Sequence, residues 1–219
     1  MAMFAAKTQG AKLKGGKPRD LETAKPDQEK LTIEKPSARE QILQTATRLF
    51  YHQGFRAVGI DTIIAESGVA KMTLYKHFPS KDDLIVAYLD RSNEAFWTWC
   101  DAEMKPFEGN HKRQLEVIFE GVAKLASSPQ CFGCTFTGAA GEFPELQHPG
   151  HQAALRHKQQ VLDTFTGLSK AAKLRQPRVA AEQLALLLDG AWNAARMFGP
   201  NSHAKQVADA AKLIIAAHS

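Results

Sequence analysis

Residues 60–84 read IDTIIAESGVAKMTLYKHFPSKDDL, and the reading of this stretch decides the fold. Two short helical segments, 60–66 and 71–77, are joined by Ser67-Gly68-Val69-Ala70. Gly68 sits at the joint, where a residue without Cβ lets the chain reverse sharply. A short helix, a tight glycine turn and a second short helix make the helix-turn-helix unit used by many DNA readers. Leu74 and Phe78 are four residues apart and face inward, which leaves Lys71, Met72, Thr73, Tyr75, Lys76 and His77 pointing wholly or partly outward. Between Ala70 and Lys81 there are three lysines and a histidine and no acid. Cations and hydroxyls on such a surface suit phosphates, while side chains at the helix N-terminus reach base edges. The same composition also suits an ordinary solvated helix face.

Working outward, Ser37 followed by Glu40 is a capping box that opens a first helix, with the hydroxyl and the carboxylate answering free N–H groups. Ile42, Leu43, Ala46, Leu49 and Phe50 form its apolar stripe, and Gly54 ends it. Ile63 and Val69 are placed to pack the two short helices against that stripe. On the other side, Ser80 and Asp83 make a second capping box and open a long helix over 81–103. Further helices are expected from about 115 to Pro129, within 133–143, over 151–174, over 180–198 and over 203–217. No segment alternates with period two, so the chain is expected to be all-α, with about nine helices.

Residues 1–36 show no helical or strand period and are read as a disordered tail. Eight basic residues face five acids there, which suits either a solvated tail or an arm lying along DNA. The chain has 219 residues, 44% of them hydrophobic, enough for a sizeable core. Its net charge of +5 is compatible with nucleic acid but says less than where the charge sits. No apolar run nears the roughly 18 residues of a membrane span, and no secretory signal is expected at the N-terminus. Three cysteines argue against a disulfide framework, and a reducing cytoplasm follows as the expected location. Cys131-Phe132-Gly133-Cys134 is a lone C-x-x-C. It leaves open a thiol-responsive role, or a metal-responsive one with His148, His151 and His157 downstream, beside the reading of incidental cysteines. No metal or other cofactor is expected. Nucleophile elbow, phosphate-cradling loop and paired carboxylates are all missing from the sequence, and Glu142, Asp163 and Asp189 stand isolated on helical segments, so no enzyme chemistry is expected.

Residues 37–84 resemble the signature of the TetR family of transcriptional regulators. Gly54-Phe55, Ile63, Gly68-Val69, Lys71 and Thr73-Leu74-Tyr75 carry the likeness, followed by His77 through Leu84. More weakly, 133–144, His148-Pro149 and Leu186 through Gly190 resemble the effector domains of one branch of that family. The resemblance implies a DNA-binding domain over 37–83 and an effector-binding and dimerisation domain over 84–219. It places Lys71, Met72, Thr73 and Lys76 against bases or adjacent phosphates, and Tyr75, His77, Lys81 and Thr62 against the backbone. Departures from the family pattern are Gly59 and Ala70 in place of capping residues, Ile64 for alanine and Met72 for glycine. A lost cap typically costs about 1 kcal/mol, which implies a reading helix that orders fully only on DNA.

The 180–198 helix is hydrophobic nearly all round and must be buried on more than one side. A symmetric partner is the economical cover, so a homodimer is expected through this helix and 203–217. Two recognition helices would then sit about 34 Å apart and read a near-palindromic operator. Long helices enclosing apolar space suggest a cavity for a small-molecule effector. Its candidate lining is Phe96, Trp97, Cys100, Phe119, Phe136, Phe165, Trp192 and Asn193, though each taken singly fits plain core better. The expected function is a ligand-responsive repressor; a nonspecific DNA-binding protein is the competing class.

Overall fold

The computed structural model describes residues 36–219, and the N-terminal tail lies outside them. Among the described residues there are nine α-helices and no strand. In chain order they are α1 (Ala38–Gln53), α2 (Ile60–Ser67), α3 (Lys71–His77), α4 (Lys81–Met104), α5 (His111–Ala126), α6 (Thr135–Glu142), α7 (Pro149–Ala171), α8 (Pro177–Phe198) and α9 (Val207–Ala217). Short 3-10 turns occupy Lys105–Phe107 and His203–Gln206, so the expected last helix enters through a tighter turn capped by the Ser202 hydroxyl.

The two capping boxes come out differently. Ser80 accepts from the Asp83 amide while the Asp83 carboxylate takes the Ser80 amide, so the box that starts α4 is complete. At α1 only half forms: the Ser37 hydroxyl accepts from the Glu40 amide at 3.2 Å. The Glu40 carboxylate turns away to the Arg91 guanidinium on α4 and to Gln44. An opposite charge on a neighbouring helix outcompetes a backbone amide beside water.

Two apolar clusters share α4. The first joins Ile42, Leu43, Ala46, Leu49 and Phe50 of α1 to Phe55, Ile63, Val69, Leu74, Phe78 and the Leu84–Leu89 end of α4. It also takes in Phe136 and Ala139 of α6, Phe143, and Ala153 and Ala154 of α7. Leu74 is wholly buried in it, and burying one such side chain contributes about 1.5–3 kcal/mol towards fixing α3. The second cluster collects Phe96, Trp99 and Cys100 of α4 with α5, α7, α8 and α9. There, a Cβ on Gly121 would lie 2.4 Å from the Trp99 ring, so α5 seats against α4 only because that position lacks one.

Candidate nucleic-acid interface and adjoining cavity

Gly68 adopts φ 68°, ψ 15°, a left-handed conformation that side chains disfavour, and its amide closes α2 onto the Ile64 carbonyl at 3.1 Å. The chain therefore turns within three residues and starts α3 at Lys71. Neither Gly59 nor Ala70 supplies a side-chain cap, as the sequence implies, yet Lys71–His77 is helical throughout. Leu74 and Phe78 anchor α3 in the core. The opposite side carries Met72 (85% exposed) and Tyr75 (41%), with Lys71, Lys76 and His77 exposed and Thr73 half-buried. Thr62 is exposed in the first turn of α2, and Lys81 is half-buried in the first turn of α4. Burial lowers the Lys81 pKa, and Glu142 and Asp82 oppose that shift. Although α3 itself holds no acid, its surroundings do: Asp61 of α2 lies 3.5 Å from Lys71, both side chains exposed. An exposed pair of this kind is worth about 0–1 kcal/mol and yields readily to a phosphate. A further cation, Arg39 of α1, stacks over the Phe78 ring at 5.2 Å, a position that only the fold reveals.

This helix-turn-helix is fastened to the rest of the molecule by Glu142, at the end of α6. Its carboxylate accepts from the Phe55 and Arg56 amides at 2.9 and 2.6 Å, and Arg56 Nε donates to its carbonyl at 2.8 Å. Gly54 lets the loop come this close, since a Cβ there would meet Glu142 Oε1 at 2.7 Å and φ is +86°. Glu142 is therefore a clamp between segments 87 positions apart, although in the sequence it stands isolated on a helical segment. Tyr88 of α4 adds a hydrogen bond to Thr135 of α6 at 2.6 Å, and the Phe132 amide donates to the Tyr51 hydroxyl at 2.9 Å.

Behind the clamp lies a cavity of about 320 Å³ walled by α1, α4, α6, α7 and α8. Three of the eight expected lining residues face it: Phe96, Phe136 and Trp192. The other five do not. Cys100, Phe119 and Phe165 are completely buried among core side chains and have no surface to offer. Trp97 packs beside the core with its indole N–H on Asn93, and Asn193 is exposed, one helical step round from Trp192. Residues that sequence reasoning missed complete the wall, among them Gln44, Arg48 and Tyr51 from α1 and Arg91, His157 and Lys158 from α4 and α7. No periodicity marks them; they are polar positions that meet only when the helices cross.

Hydrogen bonds fix the polar groups in and behind the cavity wall. Trp97 Nε1, which can only donate, bonds Asn93 Oδ1 at 3.1 Å, and His157 Nδ1 meets the same oxygen at 2.7 Å. Nδ1 must therefore carry a proton. Burial, with the Lys158 charge beside it, depresses the His157 pKa to about 3, so the ring is neutral. It stacks on Phe136 at 3.6 Å. Lys158 pairs with Asp189 and lies 3.6 Å from Cys134 Sγ; burial would lower its pKa, but Cys134 and Asp189 outweigh that and raise it. Asp189 thus holds a cavity lysine rather than standing alone. Of the C-x-x-C pair, Cys131 is buried, which pushes its thiol pKa up, and Cys134 accepts from the Thr137 amide. His148 and His151 bond Gly150 and Phe143. Among the described residues, no three or more His, Cys, Asp or Glu side chains gather at a metal-sized spacing. Nor is any helix among them long and apolar enough to cross a membrane.

Residues 42–88 match the family model described as bacterial regulatory proteins, tetR family. The chain is similar to SCO4454, a TetR-family transcriptional regulator from Streptomyces coelicolor whose crystal structure is known. The two share 35% identity over 83% of this chain and 96% of that one, with a TM-score of 0.78. It is 45% identical over 58 residues to the HTH-type transcriptional regulator LmrA of Bacillus subtilis, a match covering 26% of this chain and 31% of LmrA. The chain thus spans less than a third of that relative's length. Similarity to the nucleoid occlusion factor SlmA of Marinobacter nauticus is longer and weaker, 28% over 156 residues, or 69% of this chain and 77% of SlmA.

Proposed function

The chain belongs to the TetR family of transcriptional regulators and binds DNA, and from that premise we propose that it is a ligand-responsive repressor acting as a homodimer on a near-palindromic operator. The observation that carries this reading is the division of α3 into a buried side, Leu74 and Phe78, and an outward side, Lys71, Met72, Thr73, Tyr75, Lys76 and His77. Inserted in a major groove, that side offers cations to phosphates and Met72 and Thr73 to base edges. Thr62 and Lys81 flank it as backbone contacts. Residues 37–83 form the reading domain in this account and 84–219 the effector and dimerisation domain.

Support for the dimer comes from α8 and α9. Leu186 (74% exposed), Met197, Phe198 and Leu213 (73%) leave large apolar side chains outside on the two C-terminal helices. A surface of this kind is commonly an interface. The effector acts from the cavity, whose walls come from α1 on one side and from α6, α7 and α8 on the other. A ligand that prefers one spacing of these helices shifts the population of DNA-competent dimers by its difference in affinity for the two states.

The test is a titration of the full chain with the DNA flanking its own coding region, against random-sequence duplex at one fixed salt concentration. A regulator gives a specific affinity about 10³-fold or more above random DNA, with protection over an inverted repeat. Equal affinity for both would make it a nonspecific DNA-binding protein instead.

A further inference from the structure

We propose that the cavity takes a small aromatic carboxylate, its charge answered by Arg91 and Lys158 and its ring by the Phe136–His157–Trp192 wall; this rests on the effector reading above. Among the described residues, three lysine and arginine side chains line the space, Arg48, Arg91 and Lys158, and no carboxylate does. Each cation has one acid partner, Glu66, Glu40 and Asp189 respectively, and all three acids sit outside the lining. Any ligand therefore meets the cations directly and the acids only behind them.

Arg91 is the specific element. Its side chain is only 16% exposed, and the Glu40 contact runs through Nη2. Nη1 is buried and has no hydrogen-bond partner among the described residues. A buried charged donor left unanswered is costly, so the Arg91 guanidinium, which lines the cavity, gains more from an anionic acceptor there than a fully paired one would. A guanidinium with one nitrogen free favours an anionic oxygen above a neutral one. An amine of the same shape is repelled by three cations.

The rest of the wall decides the body. The neutral His157 ring lies flat on Phe136, with Phe96 set edge-on at 5.1 Å and Trp192 beyond, so the surface offered is aromatic and uncharged. A bare inorganic anion would leave it uncovered. At about 320 Å³ the space falls near the lower end of small-molecule sites, which limits the body to one or two rings.

The test titrates the purified full chain with benzoate and 2-naphthoate and with their neutral counterparts, benzamide and 2-naphthamide. Binding is read by tryptophan fluorescence, since Trp192 lines the cavity, and by melting temperature. The acids are expected to bind about 10- to 100-fold tighter than the amides, the worth of one charge-assisted hydrogen bond. Arg91→Met should remove most of that preference, and Glu40→Gln, which takes away the competing acid, should tighten the acids while leaving the amides unchanged. Because Arg91→Met also breaks a helix–helix ion pair, its fold is checked by circular dichroism. If it is unfolded, Glu40→Gln and Lys158→Met decide the matter. Amides binding as well as acids, phosphate displacing the acids at equal concentration, or acid affinity unmoved by both Glu40→Gln and Lys158→Met would each overturn the carboxylate assignment and leave the effector cavity standing. No binding by any member of either series would remove the effector reading as well.

Discussion

Thr73 sits half-buried on α3 between the exposed Met72 and the buried Leu74, close enough to the core to be held and close enough to solvent to touch a base. Thr73→Ala is expected to alter base preference at one operator position, by about 1–3 kcal/mol of discrimination, measured on single-substituted duplexes. Lys81→Ala should instead weaken all sequences alike and lower the salt slope of log K by about 0.9, the share of one phosphate. His157 makes a separate prediction about pH. Burial holds its folded pKa at about 3, well below the ordinary 6.5 of an exposed imidazole, so the unfolded chain takes up the proton first as pH falls. The stability tied to the neutral ring is whole above pH 6.5 and is lost progressively from there down towards pH 3. By pH 5 the loss is about 2 kcal/mol, and chemical denaturation of His157→Gln should lack that part of the decline. At this scale the sequence was legible where a residue's neighbours lie along its own helix: Leu74 and Phe78 mark the inside of α3, and so its outside. It was not legible for Arg91, Lys158 or Glu142, whose partners Glu40, Asp189 and Phe55 belong to other elements.

Between elements, the Glu142 clamp ties the loop after α1 to the end of α6 through charge-assisted bonds to two backbone amides. Glu142→Ala is expected to lower unfolding stability by about 1–3 kcal/mol and to weaken the effect of a ligand on DNA affinity, measured by operator titration with and without it. Gly54→Ala should do likewise, through strain at φ +86° and collision with the same carboxylate. Helix limits were readable from capping chemistry, since Ser80 with Asp83, Gly54 and Gly68 all stand at observed ends. The half-formed box at Ser37 shows the limit of such signals: a spacing records what Glu40 can reach locally, and Arg91 offers it a stronger partner. The cavity was misassigned for a related reason. Large apolar residues such as Phe119 and Phe165 fill space completely, whereas a cavity wall needs groups left over when packing ends.

Across the whole molecule, the hydrophobic character of 180–198 was read as burial on more than one side, and α8 does bury Leu184, Leu188 and Trp192 inward while leaving Leu186 and Met197 outside. Leu186→Glu is expected to leave the fold intact by circular dichroism, to shift sedimentation from dimer to monomer, and to abolish tight DNA binding. A dimer that survives this change would place the interface elsewhere. In the proposed dimer, two copies joined at α8 and α9 would carry two α3 helices related by a twofold axis. That symmetry is checked by selecting bound duplexes from a random DNA pool with the full chain. An inverted repeat is expected, its half-sites lying about one helical turn, roughly 34 Å, or a multiple of it apart. An unenriched pool, or a single asymmetric half-site, would contradict it.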